Sequence, residues 1–338
     1  MIKKLYFAAI AAVFAFAGCA EGQADLPHVE NQDGLIELTV SVSDAQTKAT
    51  DQNYLDDIIN DIQIFVFNRY GVYETSATAE NYTLKLSCTS GHKQIVALVN
   101  AEPVSNVVNI TDLGSIRSDL AGIGNGELVM VGTKEVDLPH EGPVVIDVTR
   151  LAAWVALKSV SLNFALPQHR GLSFEITDVY VVNAAGDRAF MDEDAPSFWY
   201  NEGACDPATT LPHLYDKVAD GSLVSQGPSY DTVHHFYCYP NNTAKKTRLV
   251  VEALIDGNPY YYPITLDEIK SNHMYSYDLT ITKLGSDSPD VPVDESVVTY
   301  TAVTGAWIQH QVMIPILIVF ARTAFLTWSP LRSISGKH

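Results

Sequence analysis

The chain has 338 residues, with 40 Asp and Glu against 21 Lys and Arg, a formal net charge of −19 and a hydrophobic fraction of 47%. Sustained negative charge repels a phosphate backbone, which sets nucleic acid aside as a partner, while the apolar content is enough for real cores and the length suits two ordinary domains. Cys19, Cys88, Cys205 and Cys238 show no CxxC spacing, so no zinc module or disulfide framework is legible, and a Cys205 to Cys238 bridge and three free thiols both fit.

At the N-terminus, Lys3 and Lys4 lead an apolar run from Leu5 to Phe16, and Ala17-Gly18-Cys19 resembles a bacterial lipobox. The run is shorter than the roughly 20 residues a spanning helix needs. Residues 1–18 are therefore expected to be a lipoprotein signal peptide, removed to leave a chain that starts at a diacylated, palmitate-bearing Cys19 held at the outer membrane by its lipid. Residues 19–34 are polar and aperiodic after that cysteine, as befits a tether.

From residue 35 the period becomes two: Leu38, Val40 and Val42 alternate with Glu37, Thr39 and Ser41, the pattern of a half-buried strand. Further strands are expected at 62–68, 81–87, 93–100, 126–136 and 143–150, punctuated by Asn68-Arg69-Tyr70-Gly71 and Ser90-Gly91. Helices are few: one at Tyr54 to Asn60, and one at Asp112 to Leu120 with Thr111 as N-cap. A new series of strands starts at 152–164 and 172–184, placing a domain boundary near Arg150 and giving domains 35–150 and 151–284. Residues 185–235 are rich in proline and loop-like, 247–266 reads as a hairpin around Asp256-Gly257-Asn258, and 274–284 closes the block. A linker of Asp, Ser and Pro at 285–295 leads to a strand at 296–307, so 285–312 is linker plus C-terminal strand and 313–338 an atypical tail. Short strands spaced by turns point to β-sandwiches rather than to a parallel sheet.

No catalytic set, cofactor site or metal site stands out. The Gly122 to Gly126 run precedes a strand instead of opening a helix, the wrong context for phosphate. His234 and His235 are adjacent on a strand and point to opposite faces, which suits ordinary side chains better than ligands. Asp192-Glu193-Asp194 has no EF-hand spacing and reads as a solvated acidic loop. No GxSxG elbow occurs.

Several segments together resemble the Bacteroidales fimbrillins, the type V pilins. In order these are Thr47-Lys48-Ala49, IQIFVFNRYG from Ile62, Arg150-Leu151-Ala152-Ala153, Tyr262-Pro263-Ile264, Asn272 with Tyr275, Gly285-Ser286, and Trp307 on the last strand. The resemblance covers about residues 1 to 310. It implies an all-β protein of two transthyretin-like, Greek-key β-sandwich domains with few short helices, catalysing no reaction. It also implies a surface fimbria built by protease-triggered donor-strand exchange and supporting adhesion and biofilm. The removable strand would be residues 34–42, a trypsin-like protease would cut between Lys48 and Ala49, and the donor strand would carry Val298, Tyr300, Ala302, Thr304 and Trp307. Partners implied are other copies of the chain, companion fimbrial subunits, the processing protease and host or bacterial surface receptors. A fimbrial anchor, a tip adhesin and a glycan-binding surface lipoprotein are the alternatives, the last using Phe198-Trp199-Tyr200 as a stacking platform. Asp231-Thr232-Val233 resembles a short O-glycosylation motif.

Two departures from the pattern stand out. Lys48 occupies the place where the family carries Arg before the cleaved bond. From Ser296 to His338 there is no Asp or Glu, whereas the preceding 295 residues hold all 40. An altered reading frame, a lengthened donor strand and a short membrane-interacting tail each account for that break.

Overall fold

Apolar runs without alternation mark strands covered on both faces, and the clearest two, Ile62–Asn68 and Gly91–Val99, lie inside the first sheet. A computed structural model describes residues 36–41, 59–80, 83–123, 127–140, 144, 146–307 and 316–320. Its first elements are β1 (Ile36–Ser41), β2 (Ile62–Asn68), β3 (Tyr73–Ala79), β4 (Thr83–Cys88), β5 (Gly91–Val99), α1 (Ile110–Ser115), β6 (Arg117–Asp119), β7 (Met130–Leu138) and β8 (Thr149–Arg150). A five-stranded sheet runs in the order β3-β2-β5-β7-β8. Ile64, Val66, Ile95 and Ala97 on one face pack with Leu84, Leu86 and Cys88 of β4, while Phe65, Phe67, Val96 and Leu98 on the other join a larger core with Leu113 and Leu120.

Polar side chains inside this sheet are paired, as burial demands. Lys93, 2% exposed, donates to Glu74 Oε1 at 2.6 Å and to Thr89 Oγ1 at 2.7 Å. Gln63 is also buried; its amide donates to the carbonyls of Ala101 and Glu102, and its Oε1 accepts from Val104 N, pinning the segment after β5. The β2–β3 turn follows from Asn68, whose Oδ1 accepts from the amides of Tyr70 and Val72. Gly71 completes it at φ +74°, where a Cβ would also stand 3.0 Å from Ile110 Cγ2.

The second series comprises β9 (Ala153–Leu162), β10 (Phe174–Val182), β11 (Ala184–Ala185), β12 (Asp187–Ala189), β13 (Trp199–Tyr200), β14 (Tyr215–Lys217), β15 (Ser222–Leu223), β16 (His234–Cys238), β17 (Arg248–Ile255), β18 (Asn258–Thr265), β19 (His273–Ile281) and β20 (Val298–Ala306). One sheet runs in the order β16-β9-β19-β20 and another in the order β14-β10-β17-β18, with β15 also on β10, while β11 pairs with β13 and β12 with β6. β9 and β19 run parallel, and the other pairings in these sheets are antiparallel. Buried residues of both, among them Val155, Leu157, Leu279, Val179, Val181 and Leu249, share one core, which makes a β-sandwich. The β17–β18 hairpin turns at Asp256 (φ 48°) and Gly257 (φ 76°), the two positive φ values of a type I′ turn that the Asp-Gly pair announces. The last described strand, β21 (Ile316–Phe320), pairs with β1.

Several expectations need correction. The helix expected at 112–120 spans Ile110–Ser115, and its cap is Asn109 instead of Thr111. Asn109 accepts from Asp112 N while the Asp112 carboxylate accepts from Asn109 N, a reciprocal box that Thr111 sits inside. Most of the helix expected at 54–60 lies outside the described residues. The strand expected at 143–150 is reduced among described residues to β8 at its end. β3 was not expected as a strand, and the loop-rich stretch 185–235 holds several short ones.

Candidate functional site

The first layer to consider is the three-stranded sheet β21-β1-β4. β1 is its middle strand, antiparallel to both neighbours. The register sets Ile36, Leu38 and Val40 opposite Cys88, Leu86 and Leu84 of β4, and opposite Phe320, Ile318 and Ile316 of β21. The alternation read at 38–42 thus falls on a strand whose main chain is engaged along both edges. Cys19, Lys48 and Ala49 lie outside the described residues.

The second layer is β20, the edge strand beside β19. Its register is unbroken from His273↔Ala306 to Ile281↔Val298. Trp307 N donates to Asn272 O at 2.8 Å, and Val297 O accepts from Thr282 N at 2.9 Å. By the antiparallel alternation, odd-numbered residues 299 to 305 therefore bond to β19, and the main-chain groups of Tyr300, Ala302, Thr304 and Ala306 point away from it. Val298 is 3% and Trp307 7% exposed, but Thr299 to Ala306 are all exposed, Tyr300 at 45% and Val303 at 60%. Of the expected donor residues, then, Tyr300, Ala302 and Thr304 lie on a solvent-exposed strand, while Val298 and Trp307 fasten its two ends to the chain's own core. Trp307 stacks on Tyr237 with ring centroids 6.1 Å apart and receives the Arg150 guanidinium 4.6 Å from its ring. No sequence pattern carries that contact, although Arg150 and Trp307 each belong to a segment of the resemblance.

The remaining candidates are structural. His234, buried, bonds through Nδ1 to Asp216 Oδ2 at 2.6 Å and through Nε2 to Tyr230 OH at 2.8 Å, which ties the preceding loop to β16. His235 stacks on Trp154 instead, on the opposite face. Among the described residues, no three or more His, Cys, Asp or Glu converge as a metal site, and no helix is long and apolar enough to cross a membrane. Cys88, Cys205 and Cys238 are free thiols, so the Cys205 to Cys238 bridge is not formed; burial pushes the Cys238 thiol up to about 12. Phe198, Trp199 and Tyr200 split their roles: Phe198 covers Gly186, Trp199 carries the Lys245 ammonium 4.4 Å from its ring, and Tyr200 donates to Asp119 Oδ1 at 2.9 Å. Asp231 and Thr232 are exposed ahead of β16, and the Gly122 to Gly126 run lies partly outside the described residues.

Two carboxylates brace the architecture. Asp187 of β12 takes a fork from Arg117 of β6 at 2.6 and 3.1 Å, together with the Ser197 amide and hydroxyl, joining β6 to β12. Burial pushes this carboxyl up, but the Arg117 and Ser197 hydrogen bonds outweigh it and hold it below the usual range. Asp178 behaves alike: burial raises it, while bonds from Tyr215 and Lys217 hold it low. Its cross-strand neighbour Glu252 is raised, first by burial, and accepts from Tyr180 OH at 3.1 Å.

Two β-sheet systems with hardly any helix, the apolar strands of the first sheet covered on both faces, and a C-terminal edge strand anchored by a tryptophan make an all-β fold. No family model matches the sequence. The major fimbrium subunit FimC of Porphyromonas gingivalis is 24% identical over 297 residues, a match that covers 78% of this chain and 63% of that protein. The chain thus spans less than two thirds of the length of this curated relative. Among solved structures, a fimbrilin (FimA) of Porphyromonas gingivalis superposes with a TM-score of 0.59 at 18% identity, covering 80% of this chain and 96% of the other. A Bacteroides eggerthii protein described in terms of cell adhesion gives 0.60 at 20% identity, with coverages of 75% and 90%. The resemblance to the Bacteroidales fimbrillins and the all-β fold it implied are both borne out.

Proposed function

We propose that the chain is a non-enzymatic structural subunit of a cell-surface fimbria, assembled with copies of itself and companion subunits and supporting adhesion and biofilm. Relatedness to a fimbrium subunit supports the role, and the fimbrilin-like fold supports the scaffold. The observation that carries the assembly step is the position of β1. It is the middle strand of its sheet, paired with β4, whose Leu84, Leu86 and Cys88 belong to a buried core, so its removal would open an edge of unpaired main-chain groups beside β4. A strand from the C-terminal region of a neighbouring copy fills that edge.

In this reading the chain reaches the outer membrane as a lipoprotein through Cys19, and a trypsin-like protease cuts after Lys48. In it the two domains of the subunit are residues 35–150 and 151–284. N-terminal sequencing of assembled filaments is expected to begin at Ala49; filaments whose subunits begin at Cys19 would overturn cleavage-triggered assembly. A palmitate analogue is expected to label the wild-type chain and to lose its label in Cys19→Ala.

A further inference from the structure

Two arginines lie on the β6–β12 pair, and only one of them is satisfied. Arg117 forks onto Asp187 at 2.6 and 3.1 Å and donates to Ala195 O at 3.0 Å. Asp187 also receives the Ser197 amide and hydroxyl, so both of its oxygens are taken. Arg188 follows on the opposite face of β12, as consecutive strand residues do. Its side chain forms no hydrogen bond or ion pair among the described residues, and its Nε is buried without a partner. Burial pushes its pKa down, Glu193 opposes this without pairing, and the Arg117 charge adds to the push. A guanidinium withdrawn from water in this way calls for an acceptor that the chain itself does not supply.

Arg188 lines a cavity of about 460 Å³, walled by the loops that follow β12 and β16 and by the one that precedes β19. That volume lies within the roughly 300 to 1,000 Å³ of small-molecule sites. Pro196 and Ile269 are buried in its wall and offer apolar surface, while Glu193, Asp194, Asn242 and Lys270 stand exposed around them. Lys270 already faces Glu268 at 3.3 Å, which leaves Glu193 and Asp194 as acceptors and Arg188 as the unmatched donor. Two carboxylates at the rim repel a dianion such as phosphate, but a single carboxylate can meet the guanidinium fork in two parallel bonds. The same rim carboxylates accept from hydroxyl groups, and the Asn242 amide both gives and accepts. One carboxylate on a carbon ring studded with hydroxyls satisfies all of these groups at once.

We propose that this cavity binds an acidic sugar, a uronic acid or a related carboxylate-bearing saccharide, with the carboxylate on Arg188 and ring hydroxyls on Glu193, Asp194 and Asn242. Glu193 sets the threshold for entry: its charge repels the incoming carboxylate, so only a ligand that also offers hydroxyls to the rim is held. The site is complete in one copy and needs neither cleavage after Lys48 nor a neighbouring strand, so it stands apart from fimbrial assembly.

Calorimetric titration of the uncut full chain with sodium glucuronate, glucose, N-acetylalanine and inorganic phosphate tests this. Glucuronate is expected to bind about tenfold or more tighter than glucose, which lacks the carboxylate, and than N-acetylalanine, which lacks the hydroxyls. Arg188→Lys is expected to weaken glucuronate about tenfold, because an ammonium has no fork. Glu193→Gln is expected to strengthen it by removing a like charge while keeping an acceptor. No saturable glucuronate binding, or binding that Arg188→Lys leaves unchanged, overturns the proposal. Equal binding of glucose removes the carboxylate from recognition, equal binding of N-acetylalanine removes the ring, and tighter binding of phosphate makes the cavity a plain anion site; each of these overturns it as well. Should Arg188→Lys lose the cooperative thermal transition, Glu193→Gln at its exposed position decides, and unchanged or weakened glucuronate binding there sinks the idea. Filament formation is read in the same preparations after cleavage. A chain that assembles without binding glucuronate overturns this site alone, and one that binds glucuronate without assembling overturns the assembly reading alone.

Discussion

β1 and β20 come from nearly the same kind of sequence, alternating β-formers near either end of the folded body, yet their surroundings are opposite. β1 is engaged along both edges by β4 and β21, whereas β20 is engaged along one and exposes eight consecutive residues. Alternation therefore announces a strand without announcing its neighbours. What distinguishes the two is long-range: which segments the chain brings alongside, and whether the ends are fastened. β20 owes its place to the buried residues at its ends and its bonds to β19, not to burial along its length.

The largest effect should come from the fastening. Trp307→Ala removes an indole packed against Tyr237 and Arg150, and a loss of about 3 to 5 kcal/mol is expected from denaturant unfolding. A loss below about 1 kcal/mol would show that β20 is not held by its end. Next comes a paired backbone test. Leu38→Pro interrupts the ladder of a strand bonded on both edges and is expected to cost about 3 kcal/mol or more. Ala302→Pro, whose amide points away from β19, is expected to cost less than about 1 kcal/mol by the same measurement. Equal costs would erase the distinction between interior and edge.

A pH titration sharpens the comparison from outside both strands. Asp178 and Asp187 are held below the ordinary carboxylate range, so the unfolded chain takes up their protons first. Their contribution is fully present above the unfolded value of about 3.9 and is lost as pH falls through the lower folded values. Urea midpoints should therefore decline below about pH 4, with a shallower decline in Asp187→Asn, which no longer titrates at that site. The smallest effect is expected at Val303→Asp, which adds a charge at a 60% exposed position and should stay within about 0.5 kcal/mol, while Val298→Asp at 3% exposure should cost on the order of 3 kcal/mol.

Sequence pattern was informative where the physics is local. β2 and β5 were legible from their apolar runs, and the β17–β18 turn from Asp256-Gly257, because burial on both faces and positive φ leave marks within a few residues. β3, with the sequence YETSATA, was not, because a strand at a sheet edge with partly exposed faces needs little apolar content. The cap at Asn109 was missed because the decisive bonds run in both directions between Asn109 and Asp112, so a plausible Thr two residues later drew the assignment. Pairing of β21 with β1 joins residues 276 to 284 positions apart, and no periodicity carries that information. Arg150 and Trp307 could each be picked out, but their contact depends on how β8 and the end of β20 meet in space.

The nine-position register of β19 with β20 also has a mechanical meaning. A tensile load applied to the chain beyond Trp307, directed along the β20 axis, pulls the strand lengthwise past its neighbour, so its main-chain bonds share the load in shear rather than breaking one after another. The Trp307 ring, in contact with Arg150 and Tyr237, meets the load first and acts as a chock at the point where force enters the sheet. A pull perpendicular to the sheet edge would instead peel the same bonds singly, so the strand resists force strongly in one direction and weakly in the other.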